Sequence, residues 1–431
     1  MTLSIEKLYS LFLQYPAVST DSRQIKPGSL FFALRGDSFN GNDFAAGSLA
    51  SGAAYAVVDE KNVATSDQFI VVEDVLTTLQ DLARFHRNQF DIPVMAITGT
   101  NGKTTTKELI FSVLSKKYQT LATRGNLNNH IGVPLTLLNL NASTEMAIIE
   151  MGANHPGEIG FLCNIVHPTH GLITNIGKAH LEGFGNFEGV IQTKTELYRY
   201  ISEHHGKLFV HNNNDLLMKL APSTHCIQYG TAPADLVMHD FTSDPFVTVT
   251  VDFRNHPSTR IQSQLYGRYN VPNILAAACT GYYFDVPSGD IKSAIESYQP
   301  GNNRSQIHPT KNNVLILDAY NANPTSMETA LKTFADTSYP NKTVILGDML
   351  ELGVDSDDEH NKILELLNRL AFPQVYLVGP SFTRLNTRRD NICFQDSDLA
   401  KLWLDHHRIN QATILIKGSR GIRLEKLVES F

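Results

Sequence analysis

The chain has 431 residues, of which 42% are hydrophobic and 18% charged, and its formal net charge is -7. A length of about 150 residues per domain suggests three domains, and the negative charge gives no reason to expect nucleic acid or an anionic membrane as a partner. Four cysteines lie far apart without a CxxC pair, which argues against a zinc knuckle or a disulfide framework and fits a reducing cytoplasm (Cys163, Cys226, Cys279, Cys393).

The N-terminal part of the chain resembles neither a signal peptide nor a membrane anchor. The opening "MTLSIEKLYSLFLQ" has no basic segment ahead of a long apolar run, and no stretch of about 18 apolar residues follows later. Residues 1–91 instead contain short apolar strands at 30–34, 53–59 and 69–72, separated by turns or helical segments. They predict a small α/β domain.

From residue 92 the pattern changes to a longer alternation of strands and helices. "VMAITGT", "MAIIEM" and "GLITNI" are continuous apolar strands, and a helix is expected at 103–116. Apolar strands between helices are typical of a parallel sheet that is covered on both faces. "FVTVTVDF" and "RIQSQL" alternate with period two and predict an antiparallel extension. Helices at 271–283 and 288–298 complete a central domain at 92–299.

The tract "QPGNNRSQ" marks the second domain boundary, because it is rich in Pro, Gly and Asn. The segment 300–431 repeats the α/β theme with the strands "NVLILDAY", "TVILGDM", "QVYLVG" and "ATILIKGS", which predicts a Rossmann-like C-terminal domain. Within it, Asn323 is expected to cap a helix that begins at Pro324. The predicted fold class is α/β, with three domains in series.

The stretch "TGTNGKTTTKE" joins the first central strand to its helix and predicts a phosphate-binding loop. Glycines let backbone amides face a phosphate, the helix N-terminus adds partial positive charge, and Lys103 can reach the terminal phosphates. Thr104 or Thr105 can hold Mg²⁺. The spacing departs from the usual GxxxxGK[ST], because Ile97 occupies the position of the first glycine. A purely structural glycine turn is the alternative interpretation.

Two further candidates follow strands of the same sheet. Glu150 ends the strand "MAIIE" and His180 follows "GLITNI", and ligands of open parallel sheets bind outside the carboxyl ends of the strands. A carboxylate beside a phosphate loop can coordinate Mg²⁺ directly or through water. The alternatives are a solvated glutamate and a hydrogen-bonded loop histidine.

Lys194 falls on the apolar face of a predicted helix. In "FEGVIQTKTELYRYI" it shares this face with Val190, Leu197 and Ile201. An inward-facing lysine must snorkel to solvent, pair with another group or change its protonation state. Snorkelling is the simplest of the three.

Polar candidates also occur in the C-terminal segment. Asp318 ends the strand "VLIL" and could accept two ribose hydroxyls, or it could be a turn aspartate. "LIKGSRG" forms a basic loop after a strand, suited to a carboxylate or a phosphate unless it is only solvated. Because these residues lie in different predicted domains, a site assembled by domain closure is expected.

Taken in order along the chain, these motifs resemble the ATP-dependent Mur ligases from about Thr20 to the C-terminus. The matching stretches are "TDSRQIKPGSLFFALRG", "TGTNGKTTTKE", "TRGNLNNHIGVPLTLL", "EMGANHPGEI", "NIGKAHLEGFG", "RYNVPNILAAA", "DAYNANPTSM", "LGDMLELG" and "LIKGSRG". Asn101 stands where alanine-adding members have histidine, and the Asp-Asn-Pro-Arg signature of diamino-acid-adding members is absent. "EMGANHPGEI" and "NANPTSM" are similar to the members that add D-alanyl-D-alanine.

The resemblance implies roles for residues of all three domains. Lys194 matches a lysine that family members carbamylate, and its carbamate would support a second Mg²⁺. Asn42 stands where many relatives have histidine, which puts the hydrogen bond assigned there in doubt. The implied ATP-binding residues are Gly99, Thr100, Asn101, Gly102, Lys103, Thr104, Thr105, Asn273, Arg304, Asp318, Tyr320 and Asn321; the metal ligands are Thr104, Glu150, His180 and Lys194; the substrate-binding residues are Ser22, Arg23, Asn126, Asn129, His130, Lys417 and Arg420.

The implied activity is that of a cytoplasmic, monomeric ligase that uses ATP and two Mg²⁺ ions. It would join D-alanyl-D-alanine to UDP-N-acetylmuramoyl-tripeptide through an acyl phosphate, with Lys103, Glu150, His180 and Lys194 as the catalytic set. Two alternatives stay open: another Mur-type or folylpolyglutamate-type amino-acid ligase, and a nucleotide-dependent switch without ligation. Neither the third residue of the peptide nor the rates follow from the sequence.

Overall fold

The computed structural model describes residues 4–223, 226–253, 257–301 and 303–431. The first three residues of the expected N-terminal segment, and Asn302 of the predicted boundary tract, lie outside the described residues. The chain divides into two compact units. The first unit comprises Met1–Ile97, Tyr118–Ala153 and Glu158–Gly171, and the second comprises Thr98–Lys117, Asn154–Gly157 and Leu172–Phe431.

The N-terminal part of the first unit contains a parallel four-stranded sheet with the order β1-β2-β5-β6 and a short hairpin, β3-β4. Apolar side chains of β2 and β5, including Phe31, Ala56 and Val58, form its core with α2. The elements are α1 (Ile5–Gln14), β1 (Val18–Ser19), β2 (Leu30–Phe32), β3 (Arg35–Gly36), β4 (Phe39–Asn40), α2 (Ala45–Ala50), β5 (Tyr55–Val58), β6 (Phe69–Val71) and α3 (Val75–Arg87).

The first unit also contains strands of the central sheet, in the order β7-β9-β8, and the first two residues of β10. β7 and β9 are buried at every position and pair in parallel, as their continuous apolar sequences predict. Helices α5 and α6 pack against α3. The elements are β7 (Val94–Thr98), β8 (Thr120–Ala122), α5 (Gly132–Leu137), β9 (Met146–Glu150), α6 (Glu158–Val166) and β10 (His170–Ile173).

The second unit begins with the helix that follows β7 and continues through the strand run β15-β14-β13-β12-β11. The pairs β13-β14 and β14-β15 are antiparallel, which confirms the predicted extension. α4 packs against α10. The elements are α4 (Lys103–Leu114), α7 (Leu181–Phe184), α8 (Phe187–Glu203), β11 (Lys207–His211), α9 (Asp215–Leu220), β12 (Cys226–Gly230), β13 (Leu236–Thr242), β14 (Phe246–Phe253), β15 (Thr259–Tyr266), α10 (Val271–Tyr283) and α11 (Ser288–Ser297).

The C-terminal part of the second unit is a six-stranded sheet with the order β16-β17-β21-β18-β19-β20, parallel except for β16. Two apolar clusters, one around Phe334 and one around Trp403, draw their side chains from alternate positions of its strands. The elements are β16 (Gln306–Pro309), β17 (Val314–Asp318), α12 (Pro324–Asp336), β18 (Lys342–Gly347), α13 (Ser356–Leu370), β19 (Gln374–Val378), α14 (Pro380–Leu385), β20 (Ile392–Phe394), α15 (Ser397–His406) and β21 (Thr413–Lys417).

The α/β class and the three-domain architecture are as the sequence predicts. The helix expected at 271–283 has those bounds, and Asn323 caps α12 with Pro324 in its first turn. β11, β12 and β16 were not predicted, because their segments show no clear alternation and lie among turn residues. The domain limits at 91/92 and 299/300 stay a prediction. In the part of the chain that the structure describes, no helix is long and apolar enough to cross a membrane.

Candidate active site

The loop between β7 and α4 has a backbone shape that requires glycine at two positions. Gly99 has φ +139° and Gly102 has φ +79°. A Cβ atom at Gly99 would lie 2.1 Å from the Thr174 hydroxyl, and one at Gly102 would lie 2.8 Å from the Asn273 side-chain oxygen. The loop is therefore packed tightly from behind, and α4 begins directly after it, as an anion-binding turn requires.

The segment that follows β10 supports this loop. The Thr100 amide donates to the Asn175 carbonyl at 2.9 Å, and the Asn101 amide donates to Asn175 Oδ1 at 3.0 Å. In return, Asn175 Nδ2 donates to the Asn101 carbonyl at 2.9 Å, and the Thr100 hydroxyl bonds with both backbone groups of Gly177. These bonds fix the loop before any ligand arrives.

Lys103, the first residue of α4, curls back over the loop. Its ammonium donates to the carbonyls of Gly99 at 2.7 Å and Thr100 at 3.0 Å. Thr104 is buried and Thr105 is partly buried on the next positions of the helix. Lysine and backbone donors therefore lie together at the N-terminus of α4, which is the arrangement that favours a polyphosphate.

Asn273 is buried behind the same helix. Its Oδ1 accepts from the Thr106 hydroxyl at 3.0 Å, and its Nδ2 donates to Asn270 Oδ1 at 2.8 Å. Asn270 in turn donates to the Tyr266 carbonyl at 2.8 Å. Asn273, one of the implied ATP-binding residues, thus also ties α10 to α4.

Lys194 lies on the inward face of α8, as the sequence predicts. Only 2% of its surface is exposed, which excludes the snorkelling alternative, and its ammonium lies 5.3 Å from the centre of the Phe184 ring. His180 packs edge-on against the same ring and forms an ion pair with Glu351. The hydrogen bond from His180 lowers the pKa of Glu351.

Asp318, at the end of β17, is held by Lys417. The Lys417 ammonium donates to Asp318 Oδ2 at 2.6 Å, and the Ser305 amide approaches Oδ1 at 3.4 Å. Lys417 is only 2% exposed, so it faces Asp318 and not a solvent-filled groove. Beside it, Asn321 is exposed and its Oδ1 accepts from the Ala322 amide at 2.9 Å.

Two arginines face one aromatic ring near this aspartate. The guanidinium carbon of Arg304 lies 3.5 Å from the centre of the Tyr320 ring, and that of Arg420 lies 5.5 Å from it. Residues 304, 318, 320 and 420 are therefore brought together, as expected for an anionic ligand with an attached ring system.

In the first unit, Glu150 is 1% exposed and accepts from Asn128 Nδ2 at 2.8 Å. Asn129 Oδ1 accepts from the amides of Ile131 and Gly132 at 3.1 and 2.9 Å and so stabilises the start of α5. Asn126 and His130 are exposed beside it. This exposed loop is compatible with the predicted substrate contacts.

The predicted substrate-binding residues Ser22 and Arg23 lie in the same unit. Arg23 is exposed and forms a two-bond ion pair with Asp21, and these bonds lower the pKa of Asp21 to about 2. Ser22 is partly buried between them. Asn42 is buried, and its Nδ2 donates to Asp59 at 2.7 Å and to Asn40 at 2.9 Å. Asn42 therefore links the turn at Asn40 to Asp59, which follows β5, within the N-terminal domain.

Each predicted donor type suits Mg²⁺ by its chemistry. A hydroxyl, a carboxylate and an imidazole are available from Thr104, Glu150 and His180, and Mg²⁺ usually takes few protein ligands and completes its shell with phosphate and water. Among the described residues, no three His, Cys, Asp or Glu side chains group into a metal site. A carbamate on Lys194 would supply further oxygen ligands.

The sequence interpretation missed several residues of this region. Asn175 follows β10, so the strand-end rule that found His180 could have found it. Lys178 follows the same strand and Glu351 follows β18, so this rule could have found them too, whereas Glu359 lies within α13 and carries no such signal. The Lys178 ammonium donates to Glu359 at 2.9 Å across 181 residues of sequence. Although burial raises the pKa of Glu359, bonds from Lys178 and Lys362 outweigh it and lower the pKa.

Three protein-family models match successive parts of the chain. They are described as "Mur ligase family, catalytic domain" at residues 14–87, "Mur ligase middle domain" at 97–281 and "Mur ligase, glutamate ligase domain" at 303–420. Together the three matches cover most of the chain.

Curated relatives match over nearly the whole length. Two of them are the UDP-N-acetylmuramoyl-tripeptide–D-alanyl-D-alanine ligases of Bacillus subtilis, 31% identical, and of Escherichia coli, 33% identical. Each alignment covers 96% of this chain, and it covers 92% of the Bacillus protein and 93% of the Escherichia protein. Among solved structures, MurF from Acinetobacter baumannii has a TM-score of 0.86 at 32% identity, covering 96% of this chain and 92% of that one. MurF from Thermotoga maritima in complex with ADP has a TM-score of 0.85 at 27% identity and covers 97% of both chains. The chain therefore belongs to the Mur ligase family.

Proposed function

We propose that this protein is the ATP-dependent ligase that joins D-alanyl-D-alanine to UDP-N-acetylmuramoyl-tripeptide, and so forms the pentapeptide precursor of peptidoglycan. The observation that carries the proposal is the Gly99–Thr105 loop. Its two constrained glycines, its lysine and its support by Asn175 make a preformed phosphate site. The names of the relatives that match along the whole chain supply the substrates.

The reaction needs activation because a carboxylate is a poor electrophile. The terminal carboxylate oxygen of the tripeptide attacks the γ-phosphorus of ATP, the bond to the β-phosphate oxygen breaks, and ADP leaves. Lys103 and the loop amides hold the negative charge of the transferring phosphoryl group, since catalysis of this step is mostly positioning and electrostatics. The product of the step is an acyl phosphate.

Peptide-bond formation follows on the same carbonyl. The free amine of D-alanyl-D-alanine attacks the acyl carbon, inorganic phosphate leaves with the bonding electrons, and the amine gives up a proton. Water would compete for the acyl phosphate, so its exclusion by the C-terminal domain is part of the proposal. Arg420 and Lys417 are the implied substrate contacts of the C-terminal domain. Because Lys417 is bonded to Asp318, it would act through that residue.

Magnesium would be held by Thr104, Glu150, His180 and a carbamate on Lys194. When bound, it neutralises phosphate charge on the transferring group. The burial of Lys194 supports the carbamate, because a desolvated amine is neutral more readily and only a neutral amine adds carbon dioxide. Asn273, Arg304, Asp318, Tyr320 and Asn321 would contact the rest of ATP. Ser22, Arg23, Asn126, Asn129 and His130 would contact the UDP-linked peptide.

The proposal extends to the setting of the enzyme. We infer a cytoplasmic monomer with domains at 1–91, 92–299 and 300–431. The widely spaced cysteines, without a CxxC pair, support a reducing compartment, and the names of the relatives include a UDP-linked substrate. Gel filtration with light scattering tests the monomer, and separate expression of 1–91 tests the first boundary. A dimer, or an unfolded fragment, would contradict these two points.

The direct test is ligation by the purified chain. With ATP, Mg²⁺, UDP-N-acetylmuramoyl-tripeptide and D-alanyl-D-alanine, we expect ADP, phosphate and a product longer by two alanines, measured by mass spectrometry. Lys103→Ala should abolish product while leaving the circular dichroism spectrum unchanged, and EDTA should also stop the reaction.

Competing substrates separate this function from its alternatives. Single amino acids or folate with glutamate in place of the dipeptide would identify another ligase of the family. ATP binding with no turnover under any of these conditions would identify a switch, and either result would refute the proposal.

A further inference from the structure

Polar contacts join residues 174–178, here called the support segment, to two helices that pack on the C-terminal sheet. The support segment also holds the phosphate loop. Residues 174–178 bond to Thr100 and Asn101 on one side. On the other side, the Lys178 amide donates to the Thr325 hydroxyl at 3.1 Å, and the Lys178 ammonium donates to Glu359 of α13 at 2.9 Å. One short segment therefore contacts both the loop and α12 and α13.

The contact is close packed at the neighbouring residue. A Cβ atom at Gly177 would lie 2.9 Å from the Thr325 hydroxyl oxygen, so the segment has little freedom to move against α12. A second contact runs beside it, because Asn323 at the start of α12 donates to Asn101 Oδ1 at 2.8 Å. The position of α12 and that of the phosphate loop are thus linked through a few polar groups.

We propose that Lys178 is a positioning residue for phosphoryl transfer: by bonding Glu359 it fixes the support segment, and through Asn175 it fixes the phosphate loop. This inference rests on the proposed function and adds a residue to it. The Glu359 carboxylate is 7% exposed and lies in the first turn of the 15-residue helix α13, so its position is set by the packing of that helix. Lys178 is half-buried with 44% of its side chain exposed, and its removal leaves no large cavity.

The chain offers a matched control at the same carboxylate oxygen. Lys362 donates to Glu359 Oε1 at 2.7 Å from one turn further along α13, so it bonds the same atom without bridging to the support segment. Lys178→Met and Lys362→Met each remove one ammonium from Glu359. Only the first of them breaks the bridge, and the other ammonium keeps the carboxylate satisfied in both.

Steady-state ligation kinetics on the full chain provide the first measurement. Lys178→Met should lower kcat by about 10- to 100-fold, because small misplacements of reacting groups have effects of that size, while KM for ATP changes by less than about threefold. Lys362→Met should keep kcat within about twofold of the wild type. Lys178→Arg should recover most of the lost rate, since it restores a cation at that position.

Amide hydrogen exchange provides a readout that does not depend on activity. Without nucleotide, peptides covering 98–103 and 174–178 should exchange at least about threefold faster in Lys178→Met than in Lys362→Met, because their protecting bonds open more often. Thermal midpoints of the two variants should agree, which separates positioning from stability.

The outcomes distinguish the two proposals. If the wild-type chain forms no product extended by two alanines, the ligase function is refuted. The hydrogen-exchange comparison then still decides whether Lys178 positions the loop. Equal exchange in the two variants, or equal kcat values, overturns the inference. The inference is also overturned if Lys178→Met has both a lower kcat and a lower thermal midpoint than Lys362→Met, because lost stability then explains the lost rate.

Discussion

At the scale of single residues, burial decides between interpretations that the sequence leaves open. Lys194 is 2% exposed, so its ammonium does not snorkel to solvent. Lys417 has the same small exposure and bonds Asp318, although a basic loop after a strand could equally have been a solvated surface. In both residues the sequence identifies the type of side chain, and the depth of the site determines what it can do.

Lys194→Ala should lower the rate of ligation by at least about 100-fold, because the proposed carbamate, and with it the proposed oxygen ligand for magnesium, would be lost. Acetate or propionate at high concentration should restore part of that rate, since a small carboxylate can enter the space left by the side chain. The measurement is ADP release with and without the added carboxylate.

The control is Arg199→Ala, an exposed cation on the same helix, which should keep the rate and show no response to carboxylates. Full activity of Lys194→Ala without any carboxylate would eliminate the carbamate.

At the scale of elements, the turn before α4 shows why a local motif is readable from sequence. Its glycines, its lysine and its helix start are consecutive in the chain, so their geometry depends mainly on backbone conformations that only glycine adopts easily. The departure at Ile97 has no effect on this turn, because that residue lies inside the buried strand β7. Asn175, by contrast, reaches the loop from a different strand.

Gly102→Ala should displace the loop before α4 for two reasons: alanine is strained at a positive φ, and its methyl group has no room. The added methyl group would lie 2.8 Å from Asn273 Oδ1, in a chain of hydrogen bonds that joins α4 to α10. We expect kcat/KM for ATP to fall by at least about tenfold, since misplaced donors no longer match the phosphates.

Gly157→Ala is the matched control. Gly157 has φ +85°, close to the +79° of Gly102, and a Cβ there would meet no atom within 4 Å. Gly157→Ala should lower the free energy of unfolding by about 1–2 kcal/mol, because alanine is strained at a positive φ, and should leave kcat/KM for ATP nearly unchanged. If the two variants lose equal activity, contact with Asn273 is not the cause.

At the scale of the whole molecule, buried carboxylates with lowered pKa values set the response to acid. Burial raises the pKa of Asp59, but bonds from Arg35 and Asn42 outweigh it, and the pKa is lowered; the same balance applies to Glu359 with Lys178 and Lys362. One of these groups lies in each compact unit. Both units should therefore become less stable in acid.

The sign follows from linkage. A carboxylate with a folded-state pKa below its unfolded value stabilises the fold fully above the unfolded value, about 4, and this contribution is lost as the pH falls through the folded value. The contribution of these two carboxylates to stability should thus stay level from pH 7 to about 5 and be lost as the pH falls below about 4. Partly buried His211, whose pKa burial lowers to about 4, adds a separate loss that begins as the pH falls through its unfolded value of about 6.5. Denaturant titrations across this range measure it.

Variants assign the acid response to these groups. Asp59→Asn and Glu359→Gln should each be less stable at pH 7 and show a shallower loss below about pH 4, since the titrating group is gone. Asp37→Asn, at an exposed aspartate, should keep the wild-type curve. Unchanged slopes in both buried variants would contradict the assignment.

The sequence by itself determined the α/β class, the three-domain architecture, many of the strands and helices, the cap at Asn323 and the glycine turn before α4. These features depend on residues that are neighbours in the chain, or on periodic burial of one face of an element. Family resemblance also extended the prediction to residues such as Arg304 and Asp318, whose types alone leave several roles open.

Only the tertiary structure decided which distant groups meet. Asn101 and Asn323 are 222 residues apart and Lys178 and Glu359 are 181 apart, yet each pair is joined by a hydrogen bond. The pairing of His180 with Glu351 and the stacking of Arg304 on Tyr320 are of the same kind. Nothing in a local pattern encodes such contacts, because they depend on how separately formed sheets and helices pack, which the whole chain sets at once.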